Sequence, residues 1–124
     1  MIAALLFAAV LSTPPTPAPP TPGPAVPDVL SSDPADIARS QFVAFALDRV
    51  NPSFYADAPD RAKIAEAQRL ILQTGRIKRI ELFKRYDSRY GTGYAYRFTC
   101  EHGTLIERFT LKAGKITSIS FDTK

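Results

Sequence analysis

The sequence predicts an α+β domain over residues 33–124, with two helices followed by a four-stranded antiparallel meander. Three observations predict it. Before Gly75, two stretches carry apolar residues at helical spacing, with capping residues at their ends. After Gly75 the apolar period changes to alternation. The links between the alternating runs are short, which makes consecutive strands antiparallel neighbours. Helices laid on the apolar face of such a sheet bury both surfaces at once.

The first helix is read from "SSDPADIARSQFVAFALDRVNP". Asp33 suits the N-cap, Pro34 the first turn, and Asp36 adds negative charge at the positive end of the helix dipole. Ala38, Phe42, Phe45, Ala46 and Val50 fall along one face, and Asn51-Pro52 ends the helix. The second helix runs through "PDRAKIAEAQRLILQTG", with Ile64, Ala67, Leu70 and Ile71 as its apolar face and Gly75 as a left-handed cap.

The strands are expected at about 77–86, 93–101, 104–112 and 115–122. Tyr94, Tyr96, Phe98 and Cys100 share a face of the second. A His102-Gly103 turn would set Cys100 opposite Leu105, Phe98 opposite Glu107 and Tyr96 opposite Phe109. At the last hairpin a plain Ala113-Gly114 turn would turn Ile119 and Phe121 outward. A bulged turn with Gly114 left-handed brings them to the face of Leu105 and Phe109, so the hydrophobic pattern selects the bulge. In the first strand, Ile77 and Ile80 share a face only if a bulge intervenes.

The residues ahead of the domain read differently. "IAALLFAAVL", residues 2–11, suits the core of a signal peptide and is shorter than the ~20 residues of a membrane-spanning helix, although no Lys or Arg precedes it. Cleavage is expected after Ser12, giving an exported protein, periplasmic or secreted, whose membrane contact is confined to the signal peptide before cleavage. Residues 13–32 are expected to form a disordered Pro-rich linker. Eight of the sixteen residues Thr13 to Asp28 are proline, which fixes φ and removes the N–H donor.

The net charge is +4, and all sixteen basic residues lie in the domain, which favours anionic partners without naming one. Cys100 is the lone cysteine, so no disulfide forms within the chain; it is expected buried and inert.

The order of elements, with "GRIKRIELF", "GYAYRFTCEHGTLIERFTL" and "GKITSISF", resembles small exported bacterial domains of the NTF2-like (cystatin-like) superfamily. The resemblance covers about residues 35–124. It implies a curved sheet wrapping a helix around a conical cavity, and, because sheet faces often pair in that superfamily, a homodimer. Enzymatic members carry inward His and Asp residues; the one His here, His102, sits at a hairpin. The chain is therefore read as a non-enzymatic accessory domain that takes a small ligand or a protein partner on the concave sheet face.

On that face Glu107, Tyr94, Tyr96 and Phe98 are the candidate ligand residues, because an inward carboxylate needs a partner and could orient a small polar ligand. A catalytic role for Glu107 as a small hydrolase or isomerase is the weaker reading. Arg76, Lys78, Arg79, Lys84, Arg85 and Arg89 form a basic surface. They suit either contact with an anionic surface or a charged sheet edge that discourages aggregation. "GYAY", Gly93 to Tyr96, partly fits an RNA-binding strand. Thr92 stands where that motif wants a basic residue, and two strands follow where a helix is wanted, so no nucleic-acid partner is expected. A Cys100–His102 pair has no third residue to orient the imidazole. One His and one Cys with scattered acids make no metal site, Gly91 and Gly93 lack the third glycine of a phosphate loop, and no cofactor is expected.

Overall fold

The computed structural model describes residues 29–123. The expected signal peptide and most of the expected linker lie outside the described residues. Helix α1 spans Pro34–Ala46, a 3-10 turn Pro52–Phe54, and helix α2 Arg61–Thr74. Strands β1 (Ile77–Ser88), β2 (Gly91–Cys100), β3 (Gly103–Lys112) and β4 (Lys115–Thr123) follow in one antiparallel sheet of order β1-β2-β3-β4. No helix among the described residues is long and apolar enough to cross a membrane.

The predicted N-cap of α1 forms. The Asp33 carboxylate accepts from the Ala35 N–H at 3.1 Å; at α2, where the sequence suggested no N-cap, Asp60 serves as one by accepting from the Lys63 N–H at 2.8 Å. Gly75 ends α2 as expected, but with φ of 80° and ψ of −156° it takes an extended glycine conformation and not the left-handed helical cap the sequence suggested. Helix α1 stops four residues earlier than the Val50-containing face requires. Leu47 is its C-cap, and Asp48 turns the chain with φ of 56°. That turn brings the Asp48 carboxylate to Arg61 at the start of α2, a two-pronged contact at 2.8 and 2.9 Å. Asn51-Pro52 therefore opens the 3-10 turn and does not close α1, with Asn51 Oδ1 accepting from the Ser53 N–H. Leu30, just ahead of α1, also packs against the core.

One sheet face and the helices share the core. The Phe42 ring stacks on Phe98 with centroids 4.8 Å apart, and Phe45 meets Phe121 at 4.9 Å. Ile37, Ala38, Ile64, Ala67 and Ile71 complete the helical side.

The β2–β3 register differs from expectation. Cys100 faces Gly103, Phe98 faces Leu105, Tyr96 faces Glu107 and Tyr94 faces Phe109. The turn is Glu101-His102, one residue earlier than the sequence suggested, and the α2–β1 junction fixes it there. The His102 N–H donates to Thr74 O at 2.8 Å, the Glu101 N–H to Arg76 O at 2.9 Å, and the Arg76 N–H to Glu101 Oε1 at 2.9 Å. The slip moves each partner by two positions, so every side chain keeps its face.

The β3–β4 bulge exists but lies beyond the turn. Lys112 pairs with Lys115 and Leu111 with Ile116; after the shift, Thr110 pairs with Ser118 and Phe109 with Ile119. Thr117 is the extra residue. Ile116 and Ile119 are three apart and both buried, which only a bulge between them allows. Strand β1 is bulged twice, at Lys78 and at Phe83. The first bulge lets Ile77 and Ile80 both pack on the core, as the sequence required.

Candidate functional site

Alternation along β3 sends Leu105, Glu107 and Phe109 inward, and all three are fully buried. Glu107 lies between Tyr96 on β2 and Phe121 on β4. From above, α1 presents Gln41 one turn after Ile37 and one turn before Phe45, so a polar amide enters an otherwise apolar helix face. Tyr55, delivered by the 3-10 turn and held by the Ala56 N–H to Ile116 O bond, donates its hydroxyl to Gln41 Oε1. The result is a buried polar set of Gln41, Tyr55 and Glu107 inside the core.

The electrostatics of this set are lopsided. Both Glu107 carboxyl oxygens are buried with no hydrogen-bond partner. Burial alone pushes its pKa well above the ordinary carboxyl value, so the group keeps its proton to higher pH than a surface glutamate does. Burial raises the Tyr55 hydroxyl far above its ordinary value, and the nearby Glu107 charge adds to the shift. Tyr96 is raised as well, by burial first and then by Asp33, Tyr94 and Glu107. A protonated carboxyl here is a hydrogen-bond donor in waiting; an ionised one would be an uncompensated buried charge.

Of the four expected ligand residues, Phe98, Tyr96 and Glu107 are buried beneath the helices and Tyr94 is partly buried. Tyr94, Tyr96 and Phe109 form a run of stacked rings, with centroids 5.4 Å apart for Tyr94–Phe109 and 6.0 Å for Tyr96–Phe109. None of the four lines the surface depressions at the outer face of the sheet, beside Tyr55 and Lys63, or between α1 and Ile77. The sequence missed Gln41 and Tyr55. The signal for Gln41 was its position at helical spacing between Ile37 and Phe45.

Cys100 and His102 are not a pair. Cys100 is buried, its thiol pKa raised by burial against a smaller lowering by Thr74, and its Sγ–H points to Phe98 O at 3.7 Å. His102 is an exposed turn residue. No cluster of metal-ligating side chains occurs among the described residues.

The six basic residues are spread along β1 and both sheet faces. Arg76 pairs with Glu101, Arg79 with Glu81 and Arg85 with Asp87. Arg85 faces inward beside Tyr94, whereas Lys84 faces outward. Four aromatic rings of the β1–β2 ribbon each have a cation over them. Arg97 is 4.7 Å from the Phe83 centroid, Arg89 4.9 Å from Tyr90, Lys84 5.6 Å from Tyr86 and Arg85 5.9 Å from Tyr94.

A groove of about 510 Å³ crosses the outer face, lined by Tyr86, Ser88, Tyr90, Thr110, Lys112, Thr117 and Ser118. It exists because Gly93 lies opposite Tyr86 and leaves its ring room to lie across β2; a Cβ at Gly93 would sit 2.2 Å from Tyr86 Cζ. Lys112 is the charged residue of the lining and donates to Arg89 O at 3.1 Å.

No protein-family model matches the chain, and no curated protein shows significant similarity to it.

Proposed function

We propose that the chain is a non-enzymatic, exported accessory domain of NTF2-like shape that binds an anionic partner through the outer face of its β1–β2 ribbon. The observation that carries this reading is the coincidence of the outer groove with cation-capped rings. Tyr86 and Tyr90 line it with Lys84 and Arg89 over their faces, Lys112 stands at its side, and no acid belongs to the lining. Such a surface attracts negative charge at range and offers hydroxyls and ring faces at contact. Export rests on the apolar run 2–11 and the proline-rich segment after it.

The test is retention on an immobilised sulfated polysaccharide across a salt series, with a neutral polysaccharide as control. The expected result is retention at low salt that fades as ionic strength rises, and earlier elution of the Lys84→Ala/Arg89→Ala double variant. Equal elution of variant and parent would overturn the assignment to this face. The mass of the chain recovered from a bacterial host tests export: a mass starting at Thr13 supports it, and one starting at Met1 removes it.

A second reading has its own observation. The two unpartnered oxygens of Glu107 favour a small polar ligand on the concave face. Native mass spectrometry separates the readings, since an enclosed ligand adds mass to the folded chain and survives high salt.

A further inference from the structure

Strand β1 is one edge of the sheet, and its packing is almost entirely against β2. It is twelve residues long with no fully buried residue, and Leu82 and Phe83 are 45% and 40% exposed at its middle. Among the described residues no strand pairs with its outer edge, and a strand of this length with such an edge is a template for another strand. Its charges decide which strand it accepts.

The β1–β2 register sets the faces. Ile80, Leu82, Arg85 and Asp87 point to the core side; Arg79, Glu81, Lys84 and Tyr86 point outward. Phe83 is the extra residue of the second bulge and lies under outward-facing Arg97, so Phe83 and Lys84 both face outward. A two-fold axis through Leu82 then pairs β1 with itself, face matched to face. Leu82 meets Leu82 of the second copy on the core side. Glu81 falls opposite the Phe83–Lys84 pair, because the bulge gives it two partners. Ile80 falls opposite Arg85, the Lys78–Arg79 pair of the first bulge opposite Tyr86, and Ile77 opposite Asp87. Glu81 thus meets Lys84, a contact made twice across the axis, and Arg79 meets an aromatic ring. Like charges do not meet in this register, although the strand is basic overall.

From this complementarity we infer that the protein forms a homodimer by antiparallel β1–β1 pairing, edge to edge, giving a continuous eight-stranded sheet. The occupant of the free edge is a second copy of this chain. The same charges that reject an arbitrary strand accept this one, and the bulge falls at the same distance from the axis on each strand. The dimer also sets two outer grooves on one face, which would strengthen binding to a repeating anionic partner. It stands whether or not that binding does, since its test reads association alone.

Sedimentation of the full chain over a concentration series tests it. A concentration-dependent dimer is expected. Glu81→Lys and Lys84→Glu should each weaken it by about tenfold or more, since each change counts twice across the axis and 1.4 kcal/mol is a factor of ten. The combined swap should restore most of the loss. Leu82→Cys provides an independent reading. Directly opposed residues of an antiparallel pair have Cα atoms ~5 Å apart, within disulfide reach. Oxidation should therefore link two chains at position 82, while Ile80→Cys should not link to itself. A monomer at all concentrations overturns the proposal. So does a dimer that neither single charge reversal weakens, or one whose Leu82→Cys variant fails to cross-link.

Discussion

Strands β1 and β3 belong to one meander, yet different forces hold them. Strand β1 has no fully buried side chain, while β3 buries Leu105, Ile106, Glu107 and Phe109. Helices α1 and α2 sit over β2, β3 and β4 and leave the middle of β1 uncovered. Packing thus holds β3, whereas β1 is held by backbone pairing and by side chains such as Tyr86 lying on β2. The contrast extends to charge. The buried strand carries a carboxyl without partners, and the exposed strand carries one with two, Glu81 pairing with Arg79 and Arg97. Core stability and surface recognition are therefore separable along the sheet.

Truncations sharpen this most. Phe98→Ala should cost about 3–5 kcal/mol, because a fully buried ring stacked on Phe42 leaves a cavity. Phe83→Ala on the exposed strand should cost less than about 1 kcal/mol, the worth of a cation–π contact and partial burial. Urea midpoints measure both, and equal losses would mean that β1 is part of the core after all.

The glycines of β2 come next. Gly91 has φ of 120°, and a Cβ there would lie 2.1 Å from Leu111 O, so Gly91→Ala should cost at least the ~1–3 kcal/mol of a strained backbone. Gly93→Ala meets only the Tyr86 ring, which can swing away. It should change stability by about 0.5 kcal/mol while closing the groove and weakening polysaccharide retention. A loss of stability without loss of retention would separate the groove from binding.

The Glu107 carboxyl predicts a pH effect. Below its ordinary value of 4.5 it is neutral in both the folded and the unfolded chain. As pH rises past that value the unfolded chain gives up the proton first, because burial holds the folded pKa higher. Stability from this group is therefore lost as pH rises from 4.5 toward the raised folded value, at up to about 1.4 kcal/mol per pH unit. Glu107→Gln should flatten the profile and gain most over the parent at neutral pH. A parent profile matching the variant's from pH 5 to 8, scanned by thermal melts, would mean that the carboxyl has found a partner.

A small effect is also expected from the removal of one outward cation. Arg97→Ala should cost about 0.5–1 kcal/mol through its contact with Phe83. A larger loss would show that the outer face contributes to the fold as the inner face does.

The elements were legible in the sequence because caps, helical spacing and alternation are local. Asp33 and Gly75 bound the helices where their chemistry places them. The inward direction of Glu107 was legible too, since it follows from parity along β3. Parity is also where local reading runs out. A register slip of two residues preserves every face, so the sequence pattern was silent on whether Glu107 faces Phe98 or Tyr96. The bonds from Glu101 and His102 to the α2–β1 junction decided it. The Gln41–Tyr55 contact joins residues fourteen apart through the packing of α1 over the sheet, and no spacing rule anticipates it. The sequence by itself determined which residues turn inward and where the chain changes from helix to strand, because those depend on neighbours along the chain. Tertiary structure decided which inward residues meet, which strand stays bare and where the bulge at Thr117 falls, because those depend on what is left to cover once the helices have packed.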